Sequence, residues 1–268
     1  METREEPRGS SSKWGEVRML EVITGCMFSG KSEELIRRLR RCQIADQHVL
    51  AFKSALDDRY SMDGIATHPI EGVPSTLKAH PVADVDAFLA SAGLEWHDPS
   101  DLDRDRRWKG RARYVRYEHV PRVERGLRCF DEHGRPMTEK IPTHLPQVLG
   151  FDEVQFMGKR VVSVLEDLAD QGVRVIVAGL DLDSDGKPFG PMAELLARAD
   201  EVTKLTAVCV AKVDPPISND RDALPHTCGK PATRSYRLPA QDTGEQVQVG
   251  SAGVYEARCR VCWARGQQ

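Results

Sequence analysis

Gly25-Cys-Met-Phe-Ser-Gly-Lys-Ser32 fits the pattern G-x-x-x-x-G-K-[ST] of a phosphate-binding loop. Its flanks decide the reading. Leu20-Glu-Val-Ile-Thr24 ahead of it is strand-like. Ser32 to Cys42 behind it is helix-like, with Leu35, Ile36, Leu39 and Cys42 on one face. In that order of strand, loop and helix, backbone N–H groups and a helix N-terminus meet at a phosphate. Gly25, Cys26, Met27, Phe28, Ser29, Gly30, Lys31 and Ser32 are therefore the expected triphosphate-binding residues. Lys31 reaches the β- and γ-phosphates and the Ser32 hydroxyl ligates Mg²⁺. The motif specifies a nucleoside triphosphate, not its use.

Working outward, strands and helices alternate. His48-Val-Leu-Ala-Phe52 is a second strand, and Val82 to Leu94 a short helix ending near Gly93. Ile70 to Pro81 is ambiguous, with Val73 and Leu77 as candidates for an edge strand. Val148-Leu-Gly-Phe-Asp-Glu153 is an apolar strand ending in two acids. Lys159 to Gln171 is an amphipathic helix with Val161, Val162, Leu165 and Leu168 inward and Gly172 at its stop. Arg174 to Ala178 has buried-strand character, Pro191 to Ala199 is a helix with Pro in its first turn, and Val202 to Val210 is the last core strand. Such alternation implies right-handed crossovers and a parallel sheet, with ligands at the carboxyl ends of the strands. Gly25, Asp152 with Glu153, and Asp181 all fall there.

Two regions break the pattern. Residues 1–15 are charged and Ser-rich, a disordered leader with no apolar signal segment. Residues 95–147 are rich in Arg and Asp, as in Asp101 to Trp108, and read as an insertion with some β-structure. There Arg113 to Val120 alternates as a strand and Leu127 to Ile141 is a candidate hairpin turning at His133-Gly134. The insertion is either a surface elaboration or an interface. In the first helix Arg37, Arg38, Arg40 and Arg41 form the expected solvated face, paired with Glu33 and Glu34. A formal net charge of −3 over 268 residues argues against a general nucleic-acid binder or a polybasic membrane protein. No apolar run approaches a membrane span, so a cytoplasmic setting is expected.

The chemistry follows from the acids. Asp152, at the end of an apolar strand, suits Mg²⁺ held directly or through water. Glu153 suits proton removal from an acceptor hydroxyl during phosphoryl transfer. Arg59, in the loop Asp57-Asp-Arg-Tyr-Ser61, is either structural or a phosphate contact. Among seven cysteines, Cys259 and Cys262 form a compact C-x-x-C, while Cys209 and Cys228 are separated by eighteen residues. These four are a candidate closed zinc site, the alternative being buried free thiols. Cys26, Cys42 and Cys129 read as ordinary residues.

Taken together, Gly25 to Arg38, Asp58-Arg-Tyr-Ser61, Asp152-Glu-Val-Gln-Phe156, Lys187-Pro-Phe-Gly190, Lys204 to Cys209 and Tyr255 to Cys262 resemble the zinc-containing thymidine kinase family. The resemblance covers most of the chain outside the leader, residues 95–147 and residues 210–227. It implies an α/β fold: a parallel-sheet P-loop kinase domain over 16–208 and a small zinc-ribbon lasso domain over 209–268. The implied activity is a nucleotide-salvage step, ATP-dependent phosphorylation of the thymidine 5′-hydroxyl to dTMP, with Glu153 as base and Arg59 assisting. Also implied is a thymine pocket of Met27, Phe156, Phe189 and Ser235. It is closed by a lasso of Val249, Gly250, Ser251, Ala252, Gly253, Val254 and Tyr255. Zn²⁺ and Mg²⁺, a homotetramer, dTTP as feedback inhibitor, and no nucleic acid or membrane partner complete the implied picture.

The chain departs from that family at several points. Cys26 stands where Pro is usual, Ser235 where Thr is usual, and Ser184 where an aromatic residue commonly packs on the base. A deoxynucleoside kinase of altered base preference is therefore the nearest rival reading. A zinc-ribbon ATPase acting on nucleic acid is the more distant one.

Overall fold

A computed structural model of the chain describes residues 19–56, 64–66, 75–97, 114–121, 123–124, 127–128, 130–131, 133, 135–213, 226–239 and 253–266. The leader, Asp57 to Ser61 with Arg59, Val73, Asp101 to Trp108, Cys129, Gly134, and Val249 to Ala252 lie outside the described residues.

The first half runs β1 (Met19–Gly25), α1 (Lys31–Ile44), β2 (Val49–Ser54), β3 (Gly64–Ala66), β4 (Thr76–Lys78), β5 (His80–Val82) and α2 (Val85–Ala92). Next come β6 (Leu94–Trp96), β7 (Tyr114–Pro121), β8 (Val123–Glu124), β9 (Leu127–Arg128) and β10 (Thr138–Thr143). The second half runs β11 (Val148–Asp152), a 3₁₀ turn (Val154–Phe156), α3 (Arg160–Asp170), β12 (Arg174–Gly179), α4 (Met192–Arg198) and β13 (Glu201–Leu205). The chain closes with β14 (Ala207–Val208), β15 (Lys212–Val213), β16 (His226–Thr227), β17 (Pro231–Ala232), β18 (Arg234–Arg237), β19 (Tyr255–Arg258) and α5 (Arg260–Gly266).

The core sheet has the order β13-β1-β12-β11-β2-β5, and every pairing in it is parallel. The inner strands β1, β12, β11 and β2 alternate between two buried faces, so their two sets of side chains enter different cores. Val22, Leu149, Phe151, Val175 and Val177 pack with α2, α3 and α4 residues such as Phe88, Leu165 and Leu195. Ile23, Ala51, Val148, Ile176 and Ala178 pack against Leu35, Ile36 and Leu39 of α1. The predicted inner faces of α1 and α3 are thus both buried. Phe88 stands edge-on to Phe52 and Phe151, at 4.9 and 5.6 Å between ring centroids.

Three readings need correction. The last core strand stops at Leu205, not Val210, because Ala207 and Val208 leave the sheet to pair antiparallel with β17. Residues 127–141 are not one hairpin: β9 pairs back to β8, and β10 pairs with β7 in a three-stranded antiparallel sheet β10-β7-β6. A turn does lie near His133, where Asp131 N–H donates to the Arg135 carbonyl. Leu77 belongs to a separate β3–β4 hairpin, and the edge of the main sheet is β5.

A further correction concerns Arg38, which is not simply solvated. Glu21 is buried on the α1 face of β1. It receives Arg38 at 2.6 Å and Arg174 at 2.5 Å, while Arg38 also reaches Glu34 and Thr203 at 2.8 Å. A hydrogen bond from Arg37, aided by Arg38, draws the Glu34 carboxyl down to about 2. Helical periodicity sees α1 alone and not the buried acid beneath it. Glu21→Gln leaves two guanidinium groups facing a neutral amide, so we expect a loss of about 3 kcal/mol in urea unfolding. A change below experimental error refutes the network's role. No described helix is long and apolar enough to cross a membrane.

Candidate active site

The glycine loop leaves β1 at a crowded point. A Cβ on Gly25 would lie 2.5 Å from the Leu205 carbonyl and 2.7 Å from Ser29 Oγ, so only glycine fits. Ser29 Oγ is buried without a hydrogen-bond partner, an orphan of the kind a phosphate oxygen satisfies. Lys31 opens α1, is buried, and donates from Nζ to the Cys26 carbonyl at 2.9 Å, bracing the loop. An ammonium has three donors, and that bond uses one.

The loop also touches the C-terminal module. Met27 N–H donates to Ser235 Oγ at 3.0 Å, and Cys26 Sγ approaches the Ala232 carbonyl at 3.3 Å. Burial pushes the Cys26 thiol up, which keeps it a neutral donor. Cys26 is therefore part of a contact between the two parts of the chain, more than the ordinary residue its sequence position suggested.

Asp152 and Glu153 follow at the tip of β11, both buried. Glu153 has φ 55°, the left-handed region that a non-glycine residue rarely occupies. Its N–H donates to Asp152 Oδ1 at 3.0 Å, and Gln155 Nε2 donates to Glu153 Oε2. Gln155 Oε1 in turn accepts from Leu180 N–H at 3.2 Å, tying the acid to the end of β12. Strain of this kind persists where the surroundings over-determine it, and such places are often functional.

The loop after β12 carries the remaining groups. Phe189 meets Phe156 edge-on at 5.5 Å between centroids, so those two predicted pocket residues come together, as Met27 and Ser235 do. Asp181 is buried and pairs with Lys204 at 2.6 Å, across the end of β1, which lies between their strands. Of the predicted lasso residues, Gly253, Val254 and Tyr255 are described. The Val254 carbonyl accepts from Leu238 N–H at 2.9 Å, and Tyr255 is buried at the start of β19.

The sulfur ligand atoms of Cys209, Cys228, Cys259 and Cys262 all lie within 4.8 Å of one another. The eighteen-residue gap closes because β15 pairs with β16, while Cys228 N–H reaches the Ala211 carbonyl and Gly229 N–H the Cys209 carbonyl. Burial opposes ionisation of Cys259, but hydrogen bonds from Cys262 and its neighbours draw it down to about 7. Burial and the adjoining thiols push Cys262 up to about 12. Four thiols this close ionise together only around a cation, and a tetrahedral four-sulfur set suits zinc.

Sequence reasoning missed Gln155, Lys204 and Trp263 as site components. Gln155 sits two residues after Glu153, a spacing that was the available signal. The Lys204 and Trp263 contacts span the fold and leave no local trace.

By class, this is an α/β protein of the parallel-sheet kind, with its candidate polar groups gathered at the carboxyl ends of the strands and a thiol cluster beside them. The family model described as thymidine kinase matches residues 18–91 and 132–263, and the chain belongs to the thymidine kinase family. It is 40% identical over 246 residues to the thymidine kinase of Deinococcus deserti, covering 90% of this chain and 92% of that protein. It is 38% identical over 242 residues to the thymidine kinase of Deinococcus radiodurans, covering 89% of this chain and 86% of that one. The match to the family leaves out residues 92–131, so β10 falls within the family pattern although its partner β7 does not.

Proposed function

We propose that this chain is a thymidine kinase that transfers the γ-phosphoryl group of ATP to the 5′-hydroxyl of thymidine, giving dTMP and ADP. The observation that carries the mechanism is Glu153, a buried carboxylate held by Gln155 at the tip of β11, with β12 lying between that strand and the one that launches the glycine loop. As the new oxygen–phosphorus bond forms, Glu153 takes the hydroxyl proton, and the bond to the bridging oxygen of ADP breaks. Loop N–H groups from Gly25 to Ser32 other than that of Met27, with Ser29 Oγ and Lys31 Nζ, hold the phosphates against the charge that develops. Arg59 is assigned as a second cation on the transferring group.

The buried Asp152 carboxylate and the Ser32 hydroxyl are hard oxygen donors of the kind Mg²⁺ takes, and they would hold it. Bound with ATP, Mg²⁺ would supply positive charge to the phosphates during transfer. The four cysteines would hold Zn²⁺ as a closed structural site. Met27, Phe156, Phe189 and Ser235 line the base, and Val249 to Tyr255 close over it with backbone groups. We assign residues 16–208 to the kinase domain and 209–268 to the zinc and lasso domain. A cytoplasmic homotetramer inhibited by dTTP, serving salvage, completes the proposal.

A panel of deoxynucleosides with Mg-ATP tests it. Thymidine is expected as the best substrate, and absence of dTMP from folded, zinc-loaded protein overturns the reading. Ser184 gives a specific reason to examine deoxycytidine and purines, since no ring is present at that position.

A further inference from the structure

We propose that Trp263 is a positioning residue through which the cysteine cluster sets the loop from Leu180 to Gly190. Trp263 directly follows Cys262, and its backbone N–H donates to the Cys259 carbonyl at 2.9 Å. The root of the side chain is therefore locked to the cluster. The indole Nε1–H crosses to the loop and donates to the Ser184 carbonyl at 3.2 Å. The six-membered ring lies against Gly186, where an added Cβ would stand 3.1 Å from Cη2 and 3.3 Å from Cζ2. Gly186 also has φ 77°, so both the ring and the backbone select glycine there.

The loop is stiff where Trp263 grips it. Asp183 Oδ1 accepts from Asp185 N–H at 3.0 Å and Lys187 N–H at 2.9 Å, and Asp183 N–H donates to the Lys187 carbonyl at 2.9 Å. A bridge between Leu182 and Pro188 closes the turn, and Phe189 N–H donates to the Asp181 carbonyl at 3.1 Å. Displacement of residues 184–186 is thereby transmitted to Phe189, whose ring faces Phe156. The loop contacts of Trp263 are with Ser184 and Gly186, so it acts through Phe189 and not on a reacting group. The consequence for the nucleoside rests on the proposed thymine pocket, whereas the positioning of the loop does not.

Hydrogen exchange and kinetics on Trp263→Ala and Trp263→Phe, each checked for zinc content and melting temperature, separate the two parts. In Trp263→Ala the amides of Asp185 and Lys187 are expected to exchange about tenfold faster, with β11 amides unchanged. Trp263→Phe keeps a ring but loses the indole donor and falls between, which keeps the test valid if the alanine variant folds poorly. The KM for thymidine rises about five- to tenfold, while the KM for ATP and kcat stay within about twofold. Unchanged exchange overturns the positioning role. Faster exchange with unchanged thymidine KM, or equal rises in both KM values, overturns its link to the base. If even the unaltered chain phosphorylates no nucleoside, the thymidine reading fails and the exchange data still decide the positioning role.

Discussion

Glu153→Gln is expected to lower kcat by about 10²–10⁴-fold while leaving ATP affinity within about twofold, since a general base contributes on that scale. The amide keeps the size and the hydrogen-bonding position but cannot accept the hydroxyl proton. Single-turnover dTMP formation and equilibrium ATP binding on the same preparation measure the two quantities. Turnover like the parent's removes Glu153 from the base role. The backbone adds an independent check. Glu153 sits at φ 55°, so Glu153→Gly relieves a conformation that costs of order 1 kcal/mol in a non-glycine residue. That variant should be inactive yet no less stable, a combination expected of a residue kept for chemistry rather than folding.

The second large effect is metal removal. The core around the cysteine cluster is Cys209, Ala211, Ala232, Ala257, Cys259 and Cys262 with Cys26 and Ala207 packed into it, all small side chains. Such a core buries little apolar surface, and its strands are two to four residues long. A four-thiolate zinc site contributes about 10–16 kcal/mol in small domains, enough to replace the missing core. We expect about one zinc per chain by metal analysis, and its loss in Cys259→Ser. The module then unfolds, Met27 loses Ser235, and nucleoside phosphorylation disappears, while the parallel sheet keeps its far-UV signal. Full activity and an unchanged melting temperature in metal-free protein contradict this account.

Much of this is legible in the sequence. The glycine loop, the alternation of strand and helix patterns, and the acids at the end of an apolar strand are local features. They predicted both the parallel sheet and the edge where the polar groups gather. Strand order was not local. That β12 lies between β1 and β11 depends on packing of whole crossovers. The four cysteines were legible as a set despite the long gap, because closing a longer loop adds little entropy cost. Arg38 was misread because helix periodicity cannot register Glu21 on a strand beneath it. The end of β13 was misread because Ala207 and Val208 are as strand-prone in a two-stranded ladder as in the core. Trp263 was invisible for a related reason: its partner Ser184 lies 79 residues away, and a tryptophan beside a C-x-x-C has no periodic signature.

The interposed β12 has a consequence for how such an enzyme changes over time. Two inter-strand steps, roughly 10 Å, separate the strand that launches the glycine loop from the one that ends in Glu153. That interval is set by backbone hydrogen bonds, so side-chain substitution in the strands hardly alters it. In the proposed thymine pocket, by contrast, the acceptor is assigned to the segments 180–190 and 249–255, which substitution can reshape without touching the ladder. Variants selected for new nucleosides should therefore accumulate changes in those segments and leave β1, β11 and β12 intact. The frame acts as a fixed ruler for phosphoryl transfer, and the choice of acceptor is left free to drift.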